Sequence, residues 1–358
     1  MRKRPKQVAQ APGNGGNLPG ELLLLQQIRS RTAHSSSGLR LGIGDDCALL
    51  RTRPGEELAV TTDLSIAGRH FRLDWHAPES VGHRTLARGL SDLAAMGGRP
   101  LAAFLSLGLP RDLTRAKGRQ PAWIHRFFDG FLALAETHKT PLAGGDLAES
   151  PVAVADIVLV GAVPRGRALL RSGARPGHLL YVTGSLGAAA AGLRKLGELA
   201  AAAKNPSKPP SIPRKLLPLL SGHLYPQPRV SQGLWLQRRG LATAALDLSD
   251  GLSTDLAHLC AESGVAAEVD AASLPVHPAA TLAEAIHGGE DYELLFTASP
   301  RTRLPRTIAG VPITLIGRIV RTRRSQAPII LITSVGAQQL EPHGWEHFSQ
   351  DATLKASR

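Results

Sequence analysis

Cysteine is nearly absent from this chain: Cys47 and Cys260 are the only two, and no C-x-x-C spacing occurs. That excludes a disulfide framework and a zinc ribbon, and it fits a reducing, cytoplasmic setting. Aromatic residues make up 4% of the sequence, too few for a row of base-stacking platforms. No apolar run approaches the roughly 20 residues of a membrane span. The run at 22–25 is short, is followed at once by Gln26 and Gln27, and lacks a small-residue cleavage site, so it does not read as a signal peptide. The common nucleotide loops are missing too. GAAAAG at 187–192 begins like a P-loop, but Leu193-Arg194 stands where Lys-Ser/Thr is required. Gly42-Ile43-Gly44 lacks the third glycine of a dinucleotide fingerprint, and no protein-kinase motif is present.

Acids are also scarce relative to bases. Asp and Glu total 29 against 42 Lys and Arg, a net charge of +13. Such a balance attracts nucleic acid or phosphorylated ligands. The basic residues are dispersed apart from 2–6, and no nucleic-acid motif accompanies them, which argues against nucleic acid as the main partner. The 358 residues suit one large or two medium domains. Residues 1–17, basic and then rich in Gly and Asn, read as a disordered tail. A helix with a leucine face is expected at 21–29. From 39 to 163 short apolar strands alternate with helices: strands at 58–61, 102–107 and 152–163, the last a central one, and helices at 78–96 and 122–137. Composition shifts to Arg, Gly and Pro at 165–176, which places a boundary between an N-terminal domain (18–165) and a C-terminal one (166–350), with a tail at 351–358. The second domain carries strands at 179–183, 244–248, 294–297 and 313–319 and helices at 186–193 and 252–262. Residues 198–213, rich in Ala, Lys and Pro, read as a flexible insertion.

The few acids are not scattered evenly. They collect in small Gly-rich settings: Asp45 and Asp46 after Gly44, Asp63 after Thr61-Thr62, Asp92 after Ser91, Asp146 after Gly144-Gly145, Asp247 and Asp250 around Leu248-Ser249, and Glu290-Asp291 after Gly288-Gly289. Asp63, Asp146 and the Asp247/Asp250 pair follow expected strands, and strand ends are where α/β proteins bind ligands. Hard oxygen ligands suit Mg²⁺, and neighbouring glycines let backbone approach phosphate oxygens. One Gly-Asp pair alone is ordinary turn chemistry; six such groups in a basic chain point to a metal–phosphate site. Asp92 stands out because it falls within a helix pattern, where Asp is disfavoured without a partner. Cys47 beside Asp46 lacks the positive surroundings a nucleophilic thiolate needs. His70 follows the Asp63 group, and Trp345 is either a core anchor or an aromatic face for a ring.

In order and content these segments resemble the thiamine-monophosphate kinase family of the aminoimidazole-ribonucleotide-synthetase-like ATP-binding superfamily. The carrying stretches are LGIGDDCALL (41–50), TTDLSIAGRHF (61–71), LSDLAAMGGRP (90–100), AGGDL (143–147), GRALLRSGARPG (166–177), YVTGSLG (181–187), ALDLSDGLSTDLAHL (245–259) and GGEDYELLFT (288–297), within roughly residues 20–350. The resemblance implies a two-domain α/β (α+β) synthetase-like fold whose N-terminal domain contributes strands to a dimeric barrel. It implies an ATP-dependent transfer of the γ-phosphate directly to the phosphate of thiamine monophosphate, with no catalytic side chain and with several Mg²⁺ ions. Asp46, Thr61, Thr62, Asp63, Asp92, Asp146, Asp247 and Asp250 would then hold metal. Gly145, Arg171 and Ser249 would contact ATP, and His70, Glu290 and Trp345 the substrate, with a homodimer as the assembly. Leu147 departs from the Thr often found there. Other synthetases of the superfamily remain the alternative, though the Gly-rich N-terminus lacks the reactive Cys of selenophosphate synthetase. A non-catalytic nucleic-acid binder is the other.

Overall fold

The computed structural model describes residues 20–32, 38–116, 118, 121–205, 207–322 and 328–344. The expected tails at 1–17 and 351–358, and Trp345, expected to contact substrate, lie outside these residues. The first half begins with α1 (Gly20–Thr32) and the short pair β1 (Leu39–Leu41) and β2 (Leu49–Leu50). It continues through β3 (Glu56–Ile66), α2 (Pro78–Ala95), β4 (Arg99–Leu109), α3 (Trp123–Thr137), β5 (Leu142–Glu149) and β6 (Val154–Pro164). Its main sheet has the order β3-β6-β4-β5, so the strand expected at 152–163 is interior as anticipated; only β4 and β5 run parallel.

The second half contains β7 (Leu179–Thr183), α4 (Ala188–Ala201), α5 (Leu217–Leu224), α6 (Val230–Arg239) and β8 (Ala244–Asp247). It continues with α7 (Leu252–Ser263), β9 (Ala266–Asp270), α8 (Leu282–His287), β10 (Leu294–Ala298), β11 (Thr307–Ile308), β12 (Val311–Val320), β13 (Ile329–Thr333) and β14 (Gly336–Gln339). The sheet order is β14-β13-β9-β12-β7-β10-β8, with β11 paired to β12. The expected insertion at 198–213 overlaps structure: α4 extends to Ala201, because its Ala- and Leu-rich sequence continues to favour helix.

α2 is the central element. Pro78 opens it at the first turn, where a missing N–H costs nothing. Leu86, Leu90 and Leu93 are almost fully buried, and burial continues around most of the circumference. One side packs on β3 and β6; other parts meet α3, α6 and β8. At α3 the approach is very close, since a Cβ on Gly82 would lie 1.9 Å from the Phe127 carbonyl oxygen. The core around α2 therefore takes Leu105 and Ile157 from the first sheet and Ala245, Leu294 and Phe296 from the second. A separate core lies within the second half, around Leu180, Val182, Leu256 and Val269. Helix α2 thus forms a wall common to both sheets, and polar side chains on it face into their junction.

Candidate active site

Strand alternation delivers the first part of the site. In β3 the side chains of Thr61, Asp63 and Ser65 turn toward α2, while Leu58, Val60, Thr62 and Leu64 turn outward. The Thr61 hydroxyl donates to Asp92 Oδ2 on α2 at 2.5 Å. Next to Asp92, the Ser91 hydroxyl donates to Asp247 Oδ2 at 2.7 Å, joining α2 to the end of β8. Arg88, one turn earlier on α2, grips Asp63 with both arms of its guanidinium, Nε to Oδ2 at 2.7 Å and Nη2 to Oδ1 at 2.6 Å.

These carboxylates feel one another. Burial, then the charge of Asp247, pushes Asp92 up to about 7, against the Thr61 hydrogen bond. Burial likewise raises Asp247, opposed by the Ser91 hydroxyl and the cation of Arg171. Burial also raises Asp63 despite Arg88 beside it. Asp255 on α7 is pushed to about 8 by burial and by Asp247 and Asp250, while it accepts the backbone N–H groups of Asp250 and Gly251. Among the described residues no three His, Cys, Asp or Glu side chains already stand at metal-ligand spacing. A set of hard oxygens under mutual repulsion, yet short of a closed cage, fits an ion such as Mg²⁺ that keeps waters and shares phosphate oxygens.

The second part is the loop at 288–293. Glu290 adopts a left-handed backbone, φ 66°, and its N–H donates to the Ser249 carbonyl at 2.8 Å. Tyr292 N–H likewise donates to the Leu248 carbonyl, so this loop is laid along the segment carrying Asp247 and Asp250. Arg84 on α2 ties Glu290 to His70: Nη2 donates to Glu290 Oε1 at 2.6 Å and to the His70 carbonyl at 3.1 Å. The His70 ring accepts the Ile66 N–H through Nδ1. From the other side, Arg84 Nη1 donates to the His223 carbonyl, and the His223 ring meets His76, Nε2 to Nε2, at 2.9 Å. At the end of the described chain, Gly344 N–H donates to Thr254 Oγ1 against the Asp250 segment.

Three of the expected residues form a separate group. Asp46, Gly145 and Asp146 line a cavity of about 460 Å³ together with Phe104 and Ile28. Asp146 lies in the register row of Ser106, Asp156 and Leu64, on the outward side of the sheet. Gly145 has φ 148°, and a Cβ there would sit 1.9 Å from the Leu105 carbonyl oxygen, so the position requires glycine. One expectation is corrected here. Asp63 and Asp146 lie inside β3 and β5 rather than after them, and only Asp247 closes its strand. Both strands run longer than their apolar stretches because ladder partners on β6 and β4 continue the pairing.

Residues 44–163 match the model described as AIR synthase related protein, N-terminal domain, and residues 175–327 that of the C-terminal domain. Over 344 residues the chain is 38% identical to the thiamine-monophosphate kinase of Escherichia coli (strain K12), spanning 92% of this chain and 98% of that one. The chain belongs to the thiamine-monophosphate kinase family. A crystal structure of thiamine-monophosphate kinase from Stenotrophomonas maltophilia K279a superposes with a TM-score of 0.73 at 39% identity, covering 86% of this chain and 95% of that one. The structure described as AaThiL complexed with AMPPCP and TMP gives 0.70 at 30% identity, over 92% and 97%.

Beside the expected Asp92, the structure adds two residues that the motifs do not assign, Arg84 and Arg88. Arg84, Arg88 and Asp92 fall at i, i+4 and i+8, one stripe of α2 facing the junction of the sheets. The signal was available: two arginines and an aspartate at that spacing, inside a helix whose leucine face marks it as packed, demand partners. Asp291, the neighbour of Glu290, serves the fold. Its carboxylate accepts N–H groups of Gly187 and Ala189 at the start of α4.

Proposed function

We propose that this protein is an ATP-dependent kinase that phosphorylates thiamine monophosphate to thiamine diphosphate. The observation that carries the reading is the convergence of Asp63, Asp92 and Asp247 from both halves, in a chain whose relatives across nearly their full length are thiamine-monophosphate kinases. The relative complexed with AMPPCP, an ATP analogue, and TMP supports ATP as co-substrate. Asp46, Thr61, Thr62, Asp63, Asp92, Asp146, Asp247 and Asp250 are the residues we assign to Mg²⁺. Gly145, Arg171 and Ser249 are assigned to ATP, and His70, Glu290 and Trp345 to thiamine monophosphate. Bound Mg²⁺ would supply neutralisation of phosphate charge and alignment of the reacting groups. The chain's own work is positioning. Ser91 and Thr61 orient the Asp247 and Asp92 carboxylates, and Arg84 holds Glu290 and the His70 backbone in one arrangement. The acceptor is a phosphate oxygen, anionic at neutral pH, so no side chain has to remove a proton.

The two synthetase-like domains are assigned to 18–165 and 166–350, consistent with the two sheets. No helix among the described residues is long and apolar enough to cross a membrane, and we place the enzyme in the cytoplasm. A homodimer through the first sheet is supported by β3, an edge strand whose outer face exposes Leu58, Val60 and Leu64 at 55%, 61% and 46%. Val60→Asp should shift the protein to half its mass in sedimentation; an unchanged mass removes this assembly. The activity is tested by incubating the pure protein with ATP, Mg²⁺ and thiamine monophosphate. Thiamine diphosphate should accumulate, and its absence at saturating substrates would overturn the assignment.

A further inference from the structure

Arg88 has no place in the assignments above, yet it occupies the middle of the site. Its guanidinium uses both oxygens of Asp63, and Nη1 lies 3.4 Å from the Ser65 hydroxyl. A carboxylate clasped in this way cannot also present its full lone-pair set to a cation. If Asp63 is to serve as a metal ligand, at least one arm of Arg88 has to leave it.

The departing arm has little room to reach water. The Arg88 side chain is only 15% exposed, and its Cα is fixed on α2, a helix walled in by both sheets. A guanidinium stripped of its partner inside protein is costly, so it needs another anion close by. Asp92, one turn along the same face, and Glu290, which adds its field to Asp63, belong to the same acidic group and are engaged with Thr61 and Arg84. The anion that enters this space together with a divalent cation is a phosphate, and a guanidinium fork matches phosphate oxygens as well as it matches carboxylate.

We propose that Arg88 is a phosphate-binding residue of the kinase, held on Asp63 until ligands arrive and moved onto a phosphate oxygen when Asp63 turns to the metal. This rests on the reading of Asp63 as a metal ligand. It explains why a basic side chain lies against a carboxylate that the reaction requires. Arg88 offsets the repulsion among the carboxylates around it, and its transfer makes metal and phosphate binding mutually dependent.

The test compares the full-length wild type, Arg88→Met and Arg88→Lys. Mg²⁺ binding without nucleotide is read by calorimetry, and steady-state kinetics are measured with ATP and thiamine monophosphate. In Arg88→Met nucleotide-free Mg²⁺ affinity should rise on the order of tenfold, while kcat falls on the order of 10². Arg88→Lys, a point charge without the fork, should fall between wild type and Met in both readings. A purely structural Arg88 would not improve metal binding. Unchanged or weaker Mg²⁺ affinity in Arg88→Met, or kcat within about twofold of wild type, overturns the proposal. If Arg88→Met fails to fold by circular dichroism, Arg88→Lys decides alone, and wild-type values in either reading reject the idea. A wild type that makes no thiamine diphosphate would instead sink the assigned reaction, and the calorimetric arm would still report on Arg88.

Discussion

Two buried arginine–carboxylate forks in this protein look alike and do different work. Arg229 meets Glu293 through Nε at 2.6 Å and through a second arm, Nη2 to Oε1. Arg88 meets Asp63 through the same pair of atoms. Burial raises the carboxyl pKa in both, and the arginine opposes it. What differs is the surroundings. Glu293 gains a further donor, the Thr183 hydroxyl at 2.6 Å, and after burial the largest influences on it are Arg229 and hydrogen-bond donors, although its charge also reaches Asp291. Asp63 gains the fields of Glu290 and Asp156. The first pair is closed and satisfied; the second belongs to an acidic group that one guanidinium cannot neutralise. An ion pair therefore reports function through what surrounds it.

That contrast can be broken by substitution. Arg229→Met should give the largest loss, about 3–5 kcal/mol of stability in chemical denaturation, because Glu293 is left charged in the interior; kcat per folded molecule should hold. A stability loss under 1 kcal/mol would put the two pairs in one class. Asp63→Asn should do the reverse. Turnover should fall by about 10²–10³, while stability drops less than in Arg229→Met, since the new amide oxygen still accepts from Arg88 and Asp92 loses a repelling neighbour. Wild-type turnover in this variant would remove Asp63 from the site.

The smallest effect concerns the third buried cation, Arg84, backed by two neutral histidines. Burial, then the charge of Arg84, lowers His76 to about 4 from its usual 6.5. Its folded value is below the unfolded one, so its contribution to stability is complete above about pH 6.5 and is lost as pH falls toward about 4. His76→Gln should flatten the decline of melting temperature between pH 6.5 and 5 by the equivalent of about 1 kcal/mol. An unaltered slope would show that His76 takes up no proton on unfolding.

Much of this was legible beforehand. The helix at 78–96 and the strands at 179–183 and 294–297 emerge with boundaries close to those observed, because their apolar patterns match what they bury. Asp92 drew notice as an acid within a helix, and its Thr61 partner supplies the reason. A strand is expected only up to Asp146, because LAGGDLAE combines two glycines with acids and runs on as β5 to Glu149 only through parallel pairing with β4. Glu290 and Asp291 were read together, yet the left-handed turn at Glu290 sends one toward Arg84 and the other to α4. No local pattern encodes that separation. Asp46 and Asp146 were grouped with the other aspartates, but strand alternation puts Asp146 on the opposite side of the sheet from Asp63.

The position of α2 has a consequence for how such chains can be recombined. Its residues supply Arg84, Arg88 and Asp92 to a site with members on both sides, Thr61 and Asp63 before it and Asp247 and Glu290 more than 150 positions later. A chimera that joins halves of two relatives at 165–176 would keep each sheet intact and still mismatch this wall. Exchange should succeed only when α2 keeps matched partners on both sides, β3 and α3 together with the segments carrying Asp247 and Glu290.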